Sequence, residues 1–225
     1  MRPAYATLQY ETSGEDVYRV ESTGTVSRVS YRGSEQLTIG REGAAVRFQA
    51  RAHYTRDVPG ERTNQDALFV QIMRPDGSFE DRVDNDPDFL TILNQPFAIE
   101  LDAATLRDLR DLHGRVPFDA TSPLGGENLL HGFLRPGASG PIQGRPTVAV
   151  RFQADGPMTG ELPGHAGATV SGSMRMDGTA YYALSDAILL GLKATLTIEA
   201  SLHERHSTTA MPVRITYTRS IRAAP

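Results

Sequence analysis

Three carboxylates at alternate positions are the side chains whose spacing most resembles a metal site. Asp84, Asp86 and Asp88 lie in the run DNDPDF. Alternating carboxylates can present oxygen ligands to one hard cation, and calcium loops use this spacing. The run lacks the glycine of a calcium loop, and Gln95 stands where a closing glutamate is expected. These departures favour a solvated turn, with a calcium site as the alternative. No other cofactor is indicated.

The histidines do not form a recognisable zinc motif. His203 and His206 lie in the run LHERH, at the end of a predicted strand. A separation of three residues on a strand directs two side chains to opposite faces, whereas zinc needs its imidazoles together. Of the other four histidines, His53, His131 and His165 are scattered, and His113 lies at the end of a predicted helix. We therefore expect exposed histidines rather than a metal site.

No local motif for nucleophilic catalysis is present. The chain contains no cysteine, which excludes a thiolate nucleophile, a thiolate metal site and a disulfide. It contains no G-x-S-x-G elbow, and Ser122 has no recognisable base beside it. An enzyme would have to use carboxylate or histidine chemistry in a cleft between β units. Catalytic residues are unknown.

A long alternating hairpin must carry much of the core. Between residues 188 and 202, apolar residues such as Leu192 and Leu196 alternate with polar ones such as Lys193 and Thr195. A period of two predicts a strand with one buried face. Residues 211–221 alternate in the same way after the polar run ERHSTTA. The two segments predict an antiparallel hairpin at the floor of the core.

An internal self-match suggests two related units. The hexapeptide AVRFQA occurs at residues 45–50 and again at 149–154. The match extends at the same offset to Gly40 and Gly144. We interpret residues 1–114 and 115–225 as two β units that share one core, with convergent amphipathic strands as the alternative. The predicted fold is mainly β, with antiparallel meanders in a sandwich or curved half-barrel.

Each unit is predicted to contain about five strands. In the second unit, a D-G turn at Asp177 and Gly178 is expected to separate two of them. The predicted strands cover residues 26–31, 44–55, 65–73, 78–83 and 89–101 in the first unit, and 129–134, 147–154, 168–176, 179–184 and 188–202 in the second.

One helix is predicted between the two units, over about residues 102–113. Asp102 suits the N-cap, and Gly114 supplies a stop. Three leucines share one face of this helix and need a surface to cover, namely Leu106, Leu109 and Leu112. The proline- and glycine-rich run VPFDATSPLGGEN, which follows, is typical of a linker.

Charge and hydropathy exclude several classes of protein. The net charge of −4 gives no general attraction to nucleic acid or to anionic lipid. No apolar run is long enough to cross a bilayer, and the N-terminal residues lack the pattern of a signal peptide. The expected location is the cytoplasm, or the periplasm or exterior if a leader was removed. Lys193 is the one lysine, a bias typical of a GC-rich genome.

Arginines are expected on the polar faces of the strands. Arg47, Arg51, Arg151 and Arg175 alternate with apolar neighbours. A ladder of arginines could bind anionic polymers or sugars. Pairing with Asp or Glu across strands is the commoner role, and it is the one that we expect.

Two segments resemble β-rich bacterial envelope proteins, many of them uncharacterised. The first is GTAYYALSDAILLGLKATLTIEA, residues 178–200, and the second is QPFAIELDAATLRDL, residues 95–109. Envelope carriers of lipoproteins and lipids have a similar layout, in which helices plug the concave side of a curved sheet. The resemblance implies that the apolar faces line a ligand cavity and that the helix at 102–113 covers it.

The sequence therefore favours a non-catalytic binding or carrier protein for an apolar or lipid-like ligand. One alternative is a structural or interaction protein that forms homo-oligomers through edge strands such as residues 211–222. The other is the enzyme described above. The residues expected to line the ligand site are Phe48, Tyr54, Phe152, Met174, Tyr182, Leu192, Leu196 and Tyr217.

Overall fold

The computed structural model describes residues 6–74, 83–84, 114–121, 129–138, 140–161, 167–185, 188–204 and 209–224. In this part of the chain all regular structure is β-strand, as predicted. The strands are β1 (Ala6–Val20), β2 (Thr25–Glu42), β3 (Ala45–Val58), β4 (Glu61–Met73), β5 (Val83–Asp84), β6 (Val116–Thr121), β7 (Leu129–Pro136), β8 (Pro141–Ile142), β9 (Arg145–Glu161), β10 (Ala168–Ala183), β11 (Leu189–Glu204) and β12 (Met211–Ala223).

The strands form one antiparallel sheet in the order β5-β4-β3-β2-β1-β12-β11-β10-β9-β7-β6, with the short β8 paired to β9. The sheet is a meander that runs from β6 to β12, continues across a β12–β1 pair, and then runs from β1 to β5. Among the described residues the two end strands, β5 and β6, do not pair with each other. The predicted antiparallel, mainly β fold is confirmed.

The predicted hairpin is confirmed and lies at the centre of the sheet. β11 and β12 pair in register, with Leu192 opposite Ile221 and Leu196 opposite Tyr217. The expectation that residues 211–222 form an edge strand is wrong, because β12 lies between β1 and β11. Its backbone groups are used on both sides, so it offers no edge for pairing with another chain.

β10 is one continuous strand, where the sequence predicted two strands separated by a turn. Asp177 and Gly178 lie inside β10, opposite Gln153 and Phe152 of β9. An added Cβ at Gly178 would meet the Phe152 ring, so the glycine makes room for an aromatic side chain rather than for a turn. The predicted D-G turn at this position is therefore wrong.

One face of the sheet carries the core. Directly opposed residues share a face, so the buried side chains continue from strand to strand. The larger cluster reaches from β3 and β4 to β7, and a smaller one packs around Tyr31 and Tyr54. The largest fully buried side chains are Tyr10, Tyr182, Phe48, Leu37, Leu130, Met174, Met176, Leu189, Leu192 and Ile198.

Several expectations fall outside the described residues. These are the helix at 102–113, the strand at 89–101, Asp86, Asp88, His165 and His206. The two AVRFQA copies lie on β3 and β9, each with an antiparallel neighbour on both sides. The division into two related units stays a prediction.

Candidate functional site

A polar groove crosses the face of the sheet opposite the core. It has a volume of about 920 Å³ and is lined by seven adjacent strands, from β4 to β10. This volume falls in the range typical of small-molecule sites. The lining residues are Ser13, Gly14, Glu15, Ser30, Tyr31, Arg32, Thr55, Asp57, Arg62, Asp177, Gly178, Thr179, Tyr181, Lys193, Ala194, Thr195, Thr218, Arg219 and Ser220.

The strand register aligns several residues of the groove floor in a single line, which we call the basic row and which extends beyond the groove at both ends. Each member lies directly opposite the next across neighbouring strands, so all members share the polar face. The row contains cations and neutral polar side chains and no carboxylate. From β4 to β7 it is Asn64, Thr55, Arg32, Ser13, Ser220, Lys193, Thr179, Arg151 and Arg135.

The carboxylates of the groove lie next to the basic row and are mostly countered by arginines. Glu15 accepts from Arg28 at 3.1 Å, and Asp177 lies 3.8 Å from Arg175. Asp57 is directly opposite Arg62 in the β3–β4 register. By contrast, the four cations of the row have no ion-pair partner among the described residues. The groove therefore favours a ligand with negative charge, although the whole chain is acidic.

A buried ion pair lies under the groove, on the opposite face of β1 and β12. The Arg219 Nη1 atom donates to Asp16 Oδ1 at 2.5 Å, and Nη2 lies 3.4 Å from Oδ2. Asp16 is 0% exposed and Arg219 is 3% exposed. The guanidinium also stacks 4.8 Å from the centre of the Tyr31 ring. Because both charges are buried, each of them needs the other as its partner.

Burial has the largest effect on the pKa values of Asp16, Tyr31 and Arg219. It raises the pKa of Asp16 above its ordinary value, although Arg219 and a hydrogen bond from Tyr31 partly offset the effect. Burial and the nearby Asp16 charge also raise the pKa of Tyr31. Burial lowers the pKa of Arg219, but attraction and hydrogen bonding by Asp16, together with attraction by Tyr31 and Glu35, outweigh this loss of hydration and raise the pKa. We conclude that Arg219 stays charged and that Tyr31 stays a neutral donor.

Gly14 makes the ion pair possible. It lies opposite Arg219 in the β1–β12 register, and Asp16 lies one pair further along the same face. A Cβ at Gly14 would stand 2.8 Å from the Arg219 side chain. The missing side chain leaves the path that the guanidinium follows to reach Asp16.

None of the eight residues predicted to line an apolar ligand site lines the polar groove. All eight residues are buried in the core. Tyr54 also lines a separate cavity of about 270 Å³, beside His53 and Asp66. The assignment of these eight residues to a ligand stays a prediction.

The described histidines are exposed, as expected, and two of them pair with aspartates. His53 contacts Asp66 directly across β3 and β4, and the His131 Nδ1 atom lies 2.7 Å from Asp119 Oδ1 across β7 and β6. Within the described ranges no group of three or more potential ligands could hold a metal ion. The calcium site stays a prediction, because only the backbone of Asp84 is described.

The exposed arginines fit the sequence prediction only in part. Arg47, Arg51, Arg151 and Arg175 are all exposed on strands, as expected. Arg175 approaches Asp177, but the two residues lie on the same strand, β10, whereas the prediction was pairing across strands. Arg151 instead lies opposite Arg135. The alternation in sequence placed these side chains on one face, but only the register shows which of them lie in line.

The comparisons with known proteins add no assignment. No protein-family model matches the chain, and no curated protein matches its sequence. In the described ranges no helix has the length and apolar character needed to span a bilayer.

Proposed function

We propose that this protein is a binding protein whose ligand is polar and occupies the groove on the polar face of the sheet. The supporting observation is the groove itself, which is large enough for a ligand and is lined by seven serine and threonine residues. Hydroxyl groups both donate and accept hydrogen bonds, so they suit a ligand rich in hydroxyl groups. The groove lies on regular strands, which hold these side chains in fixed positions.

Binding fits the chemistry under the groove better than catalysis does. The carboxylate that is buried beneath the groove, Asp16, is engaged by Arg219 and by Tyr31. A carboxylate held in this way supports the sheet and has no path to a proton of the ligand. The carrier of an apolar ligand remains a separate proposal, which would require a cavity among the buried side chains.

Binding to a panel of neutral and acidic oligosaccharides, followed by calorimetry on the hits, tests the proposal. Ser13→Trp places a large ring on the groove floor and should abolish binding of any hit. Ser173→Trp adds the same ring to an exposed position of β10 outside the groove and should leave binding unchanged. A ligand that binds both variants equally well would show that the groove is not the binding site.

A further inference from the structure

The geometry of the basic row points to a linear acidic polysaccharide as the ligand, and this inference rests on the proposed function of the groove. The row continues beyond the groove, because Arg151 and Arg135 extend it on β9 and β7. With strands about 4.8 Å apart, Arg135 lies about 29 Å from Arg32 along the sheet. A compact small molecule cannot contact both ends of a row of this length.

The pair at the end of the row indicates that an anion is expected there. Arg135 and Arg151 are directly opposite each other, and both are exposed. Like charges in this position destabilise a sheet unless a counter-charge is present. No carboxylate in the described part of the chain pairs with either arginine. A bound anionic group would remove this repulsion and gain two charged hydrogen-bond donors at once.

The residues between the cations indicate a sugar polymer rather than a nucleic acid. Arg32 and Lys193 are separated by Ser13 and Ser220, and Thr179 separates Lys193 from Arg151. Hydroxyl groups at these points can pair with the hydroxyl groups of sugar rings. Proteins that bind single-stranded nucleic acid stack bases on aromatic side chains, and no member of the basic row is aromatic. The row therefore matches a chain of sugars that carries carboxylates at intervals.

Fluorescence anisotropy at low salt with labelled oligogalacturonates tests this inference. A long oligomer that spans the row should bind more tightly than a short one that fits inside the groove. Arg135→Gln combined with Arg151→Gln should weaken the long oligomer about tenfold, since each exposed ionic contact contributes a factor of about two to five. The same double variant should leave the short oligomer unaffected.

The matched control is Arg47→Gln combined with Arg51→Gln. These arginines are exposed on β3, on the same face but off the row, and the control changes the net charge by the same amount. If the control variant loses as much affinity for the long oligomer as the Arg135 and Arg151 variant does, the inference is overturned, because net charge alone would then explain binding. Tighter binding of single-stranded DNA, or equal binding of a neutral oligogalactoside, would also overturn it.

If the neutral ligand binds and Ser13→Trp abolishes that binding, the groove function stands without the acidic ligand. If no ligand in either test responds to Ser13→Trp, both proposals fail.

Discussion

Removing one partner of the buried ion pair should destabilise the protein strongly. In Asp16→Leu, the Arg219 guanidinium is left in a site where its side chain is 2% exposed. Arginine does not lose its proton in proteins, so the charge stays buried and unpaired. Breaking such a pair costs about 3–5 kcal/mol. For a protein of this size, that cost corresponds to a fall in Tm of about 6–20 °C.

The opposite single variant should cost less. In Arg219→Met, the remaining Asp16 can take up a proton, and its raised pKa favours the neutral form. The double variant, Asp16→Leu with Arg219→Met, removes both charges and fills the site with apolar atoms. Replacements of this kind are often neutral or stabilising, so the double variant should recover most of the stability.

Urea unfolding of the four proteins gives the coupling free energy between Asp16 and Arg219 as a double-mutant cycle. The control is the cycle of Glu199 and Arg214, an exposed cross-strand pair at 3.6 Å, which should give a coupling below about 1 kcal/mol. A cost below about 1 kcal/mol for Asp16→Leu, or additive effects in the first cycle, would refute the view that a dry, mutually dependent ion pair holds β1 to β12.

Three further changes test other parts of the structure. Thr12→Val should stabilise the protein by about 1 kcal/mol in urea unfolding, because the Thr12 hydroxyl is buried and has no hydrogen-bond partner in the described part of the chain; a loss of stability would show that this hydroxyl is in use. Gly178→Val should cost about 1–3 kcal/mol, because the new side chain meets the Phe152 ring, and an unchanged Tm would count against that packing. Burial raises the pKa of Asp16 above 3.8, so the folded state holds its proton longer than the unfolded chain does. The stability of the wild type relative to Asp16→Asn should therefore be greatest below pH 3.8 and fall as the pH rises through the raised value; a relative stability that rises with pH would mean that Arg219 lowers this pKa instead.

The sequence predicted the strands whose inward residues are mostly apolar. β11 was recognisable because Leu192, Leu196 and Ile198 alternate without interruption, and its hairpin with β12 followed from the same pattern. β1 was missed, because its inward positions include Thr12, Gly14 and Asp16, which are polar or lack a side chain. Asp16 of the buried ion pair thus helped to conceal β1, whereas β12 was recognised because Arg219 is a single interruption of its apolar face. A similar effect shortened the predicted β2, where Glu35 is buried.

The candidate site could not be predicted, because it depends on register between distant segments. Ser13 and Ser220 become neighbours only through the β1–β12 pair, which joins residues about two hundred positions apart. The alternation of polar and apolar residues assigns each of them to a face, but it does not align one strand with another. The basic row therefore becomes visible only when the register of the whole sheet is known.

The β12–β1 pair also governs the order in which the protein can fold. During synthesis β1 is made long before β12, the strand that covers its open side, so this edge stays unpaired while the strands between them are made. Contacts between such distant segments slow folding. The pairing of β12 with β1 continues to Ala224, whose amide donates to the Gln9 carbonyl at 2.8 Å. A circular permutant that joins these ends by a short linker and opens before β6 would turn the slowest contact into a local hairpin, and it should refold faster to the same sheet.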